Sequence, residues 1–278
     1  MKNTRSRKHT APLSQADKTA FLISALAVSF LYISPWLSLI PLVLFLLLCL
    51  IAPFCPGWGF FLPVISRAER SKPVVALSFD DGPSPESTPL LLELLHRYGY
   101  QASFFVIGEK AEQHPALIQK IIAAGHDIGN HSYRHDPLLM LRSSRKLHQD
   151  IRSTQEVLQK NGIRPLLFRP PAGITNPRLK SVLFQEQLQA VTFSCRAYDR
   201  GNRTLTGLAR RLLAKVKPGD IVLLHDLPPP KEKDLQLWQG ELTAFFEGLQ
   251  RKELEVTPLE RLIGSRVMLT EDDLREDT

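Results

Sequence analysis

From Thr19 to Ser66 the chain carries no Asp, Glu, Lys or Arg. An uncharged stretch of that length is not an ordinary solvated segment. A bilayer-spanning helix needs about 20 apolar residues, so there is room for one span or two. Pro35 and Pro41 interrupt the stretch and leave residues 19–34 and 37–54 as candidate segments. Trp36 lies between them, and Trp58, Phe60 and Phe61 follow, where aromatic rings favour the membrane–water boundary. The stretch is too long for a cleaved signal peptide, whose apolar core runs to about 7–15 residues. Cysteine is scarce too. Cys49, Cys55 and Cys195 form no Cys-x-x-Cys pair, and the pattern implies neither a disulfide framework nor a cysteine zinc site. There is no internal repeat and no low-complexity segment.

Basic residues flank the apolar region on both sides. Lys2, Arg5, Arg7, Lys8 and Lys18 precede it, and Arg67, Arg70 and Lys72 follow. Positive flanks favour the cytoplasmic side, so the pattern fits a helical hairpin with both ends in the cytoplasm. A single span with the following domain outside stays open. The net charge is +7, and most of it sits in the first 18 residues. The remainder is nearly balanced and does not resemble a nucleic-acid-binding surface. The expected organisation is a basic tail (1–18), a membrane region (19–66), a soluble domain (67–270) and a loose acidic tail (271–278).

Within the soluble part, short apolar runs alternate with amphipathic stretches. Strands are expected at 74–79, 102–107, 127–129, 166–168, 190–194, 221–224 and 254–257. Helical spacing marks 89–98, 109–124, 144–160, 176–187, 205–216, 235–250 and 258–263. Repeated strand–helix units predict an α/β fold, a parallel sheet with helices outside, as in a barrel. Chemistry in such folds gathers at the C-terminal ends of strands, and the polar clusters fall there. "SFDDGP" (78–83), "NHSYRH" (130–135), "FRPPAG" (168–173), "SCRAYD" (194–199) and "LLHD" (223–226) each follow or end a strand.

Asp80 and Asp81 are adjacent acids at a strand end, which repel each other. His131 and His135 are four apart, close enough in a helical turn to share a cation. Two histidines and a carboxylate are a familiar zinc set. A cation bound by Asp81 would offset the repulsion and leave Asp80 ionised as a base. The same residues also fit a turn with solvated acids and two surface histidines. His126 is expected to be structural, and His96, His114 and His148 to be solvated or partly buried.

These motifs, in this order, resemble the polysaccharide deacetylase family, the NodB-homology carbohydrate esterases, over residues 72–264. The resemblance implies a distorted (β/α)7-type barrel and hydrolytic removal of an acyl group, usually acetyl, from a sugar, with a divalent metal that is generally Zn²⁺. It implies Asp80 as general base, Asp81, His131 and His135 as metal ligands, and Arg169 as the residue orienting the base. It further implies the Ala172 N–H as oxyanion donor, Leu224 as a wall for the acyl methyl, and His225 as general acid.

One motif departs from the family pattern Asp-x-x-Asp-Trp. Here it reads Arg196-Ala-Tyr-Asp199-Arg200, so Arg196 replaces the Asp that tunes the catalytic histidine and Arg200 replaces the Trp. Asp199 remains as a candidate for that tuning. Arg196 and Arg200 are either solvated loop charges or readers of an anionic substrate group. The expectation is a membrane-bound, metal-dependent hydrolase that removes an N-acyl group from an amino sugar, in a polymer or a lipid-linked glycan. The alternative is an inactive sugar-binding or scaffold protein. The short linker from 61 to 72 favours substrates close to the bilayer. No protein or nucleic-acid partner is implied.

Overall fold

The structure, a computed structural model, describes residues 13–276. The tail residues Lys2, Arg5, Arg7 and Lys8 lie outside the described residues.

Two apolar helices come first, α1 (Gln15–Leu31) and α2 (Pro35–Ile51). Ser14 starts α1 with a reciprocal cap: its hydroxyl accepts from the Asp17 N–H at 3.1 Å, and the Asp17 carboxylate accepts from the Ser14 N–H at 2.7 Å. Pro35 starts α2, where its missing N–H costs nothing. The short turn between them makes a hairpin. Residues Pro35–Phe54 are long and apolar enough to cross a membrane. Side chains such as Phe21 and Trp36 point outward, each 80% exposed.

Both ends of the hairpin are fastened to the rest of the chain. The Ala16 N–H donates to the Phe60 carbonyl at 2.8 Å, and the Thr175 N–H donates to the Pro53 carbonyl at 3.2 Å. Lys180 pairs with Asp17 at 2.8 Å. Ala52, Phe60, Phe61 and Leu62 pack with Phe168, Leu179, Leu183 and Ala190 in one hydrophobic cluster, against which Phe45 and Leu48 also rest.

The remaining elements run β1 (Val64–Ile65), β2 (Val74–Asp80), α3 (Thr88–Tyr98), β3 (Ala102–Val106), α4 (Gly108–Gln113), α5 (Pro115–Ala123), β4 (Asp127–Asn130), α6 (Ser144–Lys160), β5 (Ile163–Pro165), β6 (Leu167–Phe168), α7 (Pro177–Gln185), β7 (Gln189–Val191), β8 (Cys195–Arg196), α8 (Leu208–Leu213), β9 (Ile221–His225), α9 (Leu235–Arg251), β10 (Glu255–Val256), α10 (Leu259–Ile263), β11 (Met268–Thr270) and α11 (Glu271–Glu276). Strands β1-β7-β6-β4-β3-β2-β9-β8 form one parallel sheet in that order, with β10 also beside β2. This is the expected α/β architecture, a curled half-barrel whose edge strands, β1 and β8, do not pair with each other.

Strand alternation sorts the side chains. Phe79, Phe104 and Leu224 pack outward beneath the helices, with Trp238, Phe245 and Phe246 of α9 in the same cluster. Ala76, Phe105, Leu167, Val191 and Ile221 fill the inner face. Register does the rest: Asp80 lies beside His225 across β2 and β9, and Asn130 lies beside Phe168 across β4 and β6. The residues that follow Asn130 and Phe168, namely His131 and Arg169, therefore emerge side by side.

Three expectations need correction. The helix expected at 109–124 is two helices, because His114 leaves the helical region (φ −128°, ψ 56°) before Pro115. The tail at 271–278 is not loose through its described part. Asp273 accepts from the N–H and hydroxyl of Thr270, both at 2.9 Å, and three acids in the first turn suit the helix dipole of α11. The sheet also begins before residue 67, since β1 pairs with β7. In addition, β11 pairs antiparallel with β5, a strand pair the apolar pattern did not announce.

Candidate active site

Asp80 ends β2 on the inner face, and its carboxylate is held from behind. Arg169 is fully buried and donates to Asp80 Oδ1 at 2.6 Å and to Ser78 Oγ at 2.9 Å. Its guanidinium carbon lies 3.9 Å above the Phe105 ring. A planar, permanently charged group stacked on an aromatic face has little freedom to turn, so Asp80 is fixed.

Asp81 leaves the strand with φ 73°, a left-handed conformation that Asp tolerates better than most residues. This turns its carboxylate toward the two histidines. Asp81 Oδ1 lies 3.5 Å from His131 Nε2 and 3.1 Å from His135 Nε2. The next residue must be small, because a Cβ on Gly82 would fall 2.1 Å from Asp226 Oδ2. The His131 Nδ1 lies 2.8 Å from the Arg169 carbonyl. A carbonyl only accepts, so Nδ1 carries the proton and Nε2 offers its lone pair to the site.

These three residues fit a metal ion. Their ligand atoms lie within 4.8 Å of one another. Asp81 Oδ1 is buried and has no hydrogen-bond partner, an arrangement that is costly unless a further group meets it. Burial works to raise the Asp81 pKa, but the charges of His131, His135 and His225 around it hold the carboxyl below its usual range. Burial and the His131 charge together lower His135, which favours the neutral form that a ligand requires.

His225 faces this group from β9. Its Nδ1 lies 2.9 Å from Asp199 Oδ2. Burial opposes protonation of His225, but the hydrogen bond and charge of Asp199 outweigh it and raise its pKa. Burial likewise raises Asp199, and its bond to His225 more than compensates, so the net shift is downward. The loop that carries Asp199 is tied down by Asn202, whose N–H donates to Asp199 Oδ2 at 3.1 Å and whose side chain donates to the carbonyls of His225 and Leu227. Asp199 thus occupies the contact expected of the missing family Asp, while Arg196 stacks on Tyr198 at 4.1 Å and on Phe193 at 5.4 Å.

The cleft over these residues has a volume of about 690 Å³ and is bounded in part by Lys110, Ala172, Arg196, Arg200, Arg203 and Leu223. Ala172 is exposed at its edge with φ 56°. Asp80, Asp81, His131, His135, Arg169, Ala172, Asp199, His225, Arg196 and Arg200 are all brought to one place. Leu224 is not. Its side chain packs outward in the main core, and Leu223 borders the cleft instead. In a strand, the residue that shares a face with His225 is two positions back, not one.

His126 is structural, as expected. It is buried, its Nδ1 accepts from the Ala102 N–H at 3.3 Å, and burial lowers its pKa to about 4. The sequence reading missed Lys110, which donates to the Asp81 carbonyl at 2.7 Å. Asp226 does not meet His225; it accepts from Ser87 and Thr88 at 2.6 Å each, and burial pushes its pKa up to about 6. No local pattern marks Lys110; Asp226 follows His225 in "LLHD" and was open to view.

Comparison with known proteins bears on the family and the fold. Residues 67–191 match the family model described as polysaccharide deacetylase. A peptidoglycan-N-acetylglucosamine deacetylase of Bacillus cereus is 36% identical over 160 residues, 56% of this chain and 74% of that protein. A peptidoglycan-N-acetylglucosamine deacetylase of Listeria monocytogenes is 35% identical over 208 residues, 74% of this chain but only 42% of that longer protein. The crystal structure of a peptidoglycan N-acetylglucosamine deacetylase bound to a naphthalenyl N-oxidanyl-benzamide superposes with a TM-score of 0.69 at 29% identity, covering 78% of this chain and 99% of that one.

Proposed function

Because the chain belongs to the polysaccharide deacetylase family, hydrolases of carbon–nitrogen bonds in acetylated amino-sugar glycans, we propose that it is a membrane-anchored, metal-dependent N-deacetylase. The observation that supports this best is the buried, unpartnered Asp81 Oδ1 facing the Nε2 atoms of His131 and His135, with Asp80 and His225 on either side. Asp81, His131 and His135 would hold one divalent cation, and zinc suits two imidazoles and a carboxylate. When bound, such a cation supplies Lewis acidity at the scissile amide.

The chain's own groups account for the proton movements. Asp80, pinned by Arg169, takes a proton from the attacking water. The Ala172 N–H serves the developing oxyanion, since Pro170 and Pro171 have no N–H to give. Leu223 faces the acetyl methyl. His225, oriented through Nδ1 by Asp199, gives a proton through Nε2 to the leaving nitrogen. The carbon–oxygen bond forms, the carbon–nitrogen bond breaks, and acetate and a free amine remain. The hairpin holds the domain against the membrane, and basic residues at both of its ends favour the cytoplasmic face.

The test uses the full chain in detergent or vesicles, with metal content and acetate release measured together. Asp80→Asn keeps the metal and loses roughly 10²–10⁴-fold in turnover, the usual effect of removing a general base. Full metal occupancy and full acetate release in His131→Ala and His135→Ala proteins would overturn the assignment.

A further inference from the structure

The catalytic cleft does not end at the sugar-sized space over His225. A second groove, of about 540 Å³, shares Ala172, Gly173, Phe193, Arg196 and Tyr198 with it. The far wall of this groove is the segment from Phe54 to Trp58, the chain that leaves α2 at the foot of the hairpin. Phe54 is 71% exposed and Trp58 59% exposed there. A continuous path therefore leads from the catalytic groups, past Arg196, to the end of the apolar helix.

Two further observations point the same way. The loop after His135 carries Leu138 and Leu141 on its outside, while Leu139 and Met140 between them pack into the cluster that holds Ala52 and Phe60. The apolar rim thus lies on the same side as the hairpin foot and the metal-binding histidines. The charges are also one-sided. Lys110, Arg196, Arg200 and Arg203 border the cleft. Its three carboxylates face other groups: Asp80 pairs with Arg169, Asp81 faces the two histidines and Asp199 pairs with His225. No carboxylate among the described residues pairs with Arg196, Arg200 or Arg203.

A substrate that fits this path has three parts in order: an acetylated amino sugar for the cleft, an anion for the arginine at the junction, and an apolar chain for the exposed Phe54 and Trp58 on the far wall. We propose that the substrate is an N-acetylated amino sugar carried on a lipid phosphate, and that it reaches the catalytic groups from the bilayer along the groove at the hairpin foot. This rests on the deacetylase reading and names its substrate class. The phosphate meets Arg196 between cleft and groove, with Arg200 beside the cleft. The lipid chain runs past Trp58 and Phe54 and never leaves the apolar phase for long.

The experiment places the full chain in phospholipid vesicles and measures acetate release from three probes: prenyl-phosphate-linked N-acetylglucosamine, water-soluble N-acetylglucosamine 1-phosphate, and neutral chitotetraose. The expected order of kcat/KM is lipid phosphate, then soluble phosphate, then chitotetraose. Arg196→Ala should lower turnover of both phosphate probes about ten- to a hundredfold more than that of chitotetraose, the effect of losing a charged hydrogen bond. Trp58→Ser and Phe54→Ser, made separately at exposed positions, should reduce the advantage of the lipid probe over the soluble phosphate. Equal turnover of lipid and soluble phosphate overturns the lipid path. Preference for chitotetraose, or for an anionic polymer added as competitor, overturns the substrate class and leaves the deacetylase reading standing. No acetate from any probe overturns both.

Discussion

Replacing Asp199 by Asn tests whether this residue has taken over the tuning of His225. The substitution keeps the size of the side chain, and Asn202 still anchors the loop through the carbonyls of His225 and Leu227. What disappears is one charge on a buried bond of 2.9 Å. A hydrogen bond to a charged group contributes about 1.5–3 kcal/mol, so kcat/KM should fall on the order of 10- to 100-fold at neutral pH. The pH profile carries the sharper information. With Asp199 ionised, the His225 pKa stands above its ordinary value, and activity that needs the imidazolium falls as pH rises through that raised value. Without the charge, the largest upward influence on His225 is lost while burial still acts against protonation, so the falling limb should move to lower pH. The stability sign follows too. The raised histidine contributes below its unfolded pKa and is lost as pH climbs through the folded one; the lowered carboxylate contributes above its unfolded pKa and is lost on acidification. The wild-type protein should therefore gain most over Asp199→Asn between those limits. The assay is acetate release across pH, paired with thermal unfolding across the same range. An unmoved alkaline limb in a folded, metal-loaded Asp199→Asn protein would refute the reasoning.

Two further outcomes follow from the packing. Arg169→Met leaves Asp80 buried without its partner, and breaking such a pair costs about 3–5 kcal/mol; denaturant unfolding should show that loss together with near-complete loss of turnover. Leu224→Ala empties a core site and should cost about 2–5 kcal/mol of stability with KM little changed, whereas Leu223→Phe should raise KM at nearly wild-type stability. The reverse pattern would return Leu224 to the cleft wall.

Much of the sheet was legible because its strands are short apolar runs that each stop at a polar cluster; residues 74–79 and 221–224 differ from β2 and β9 by one residue at the C-terminal end. The site was legible for the same reason, since its residues sit at those strand ends. What escaped the sequence depends on contacts between distant segments. The two-residue strand β1 exists because residues of β7, more than a hundred positions later, pair with it. Lys110 reaches Asp81 only because helix α4 begins directly after β3. Leu224 was assigned by analogy where the strand's own alternation pointed to Leu223. The role of Asp199 was visible as a residue and not as a contact, because the loop from 196 to 203 has several residues with positive φ and no repeating geometry.

The hairpin shares its hydrophobic seam with the domain, and this bears on how the protein is made. Phe45 and Leu48 of α2 rest on a cluster completed by Leu179, Leu183 and Ala190, and the Asp17 carboxylate waits for Lys180. A ribosome delivers the hairpin long before those partners exist. The two helices therefore form with their inner flank uncovered, and the later half of the chain closes over a foundation already laid. Severing the chain after residue 66 would remove Phe60, Phe61, Leu62 and β1 along with the helices and bare the cluster beneath α7 to water. The domain and its helical hairpin are consequently inherited as one unit: a version without the hairpin would have to redesign that seam.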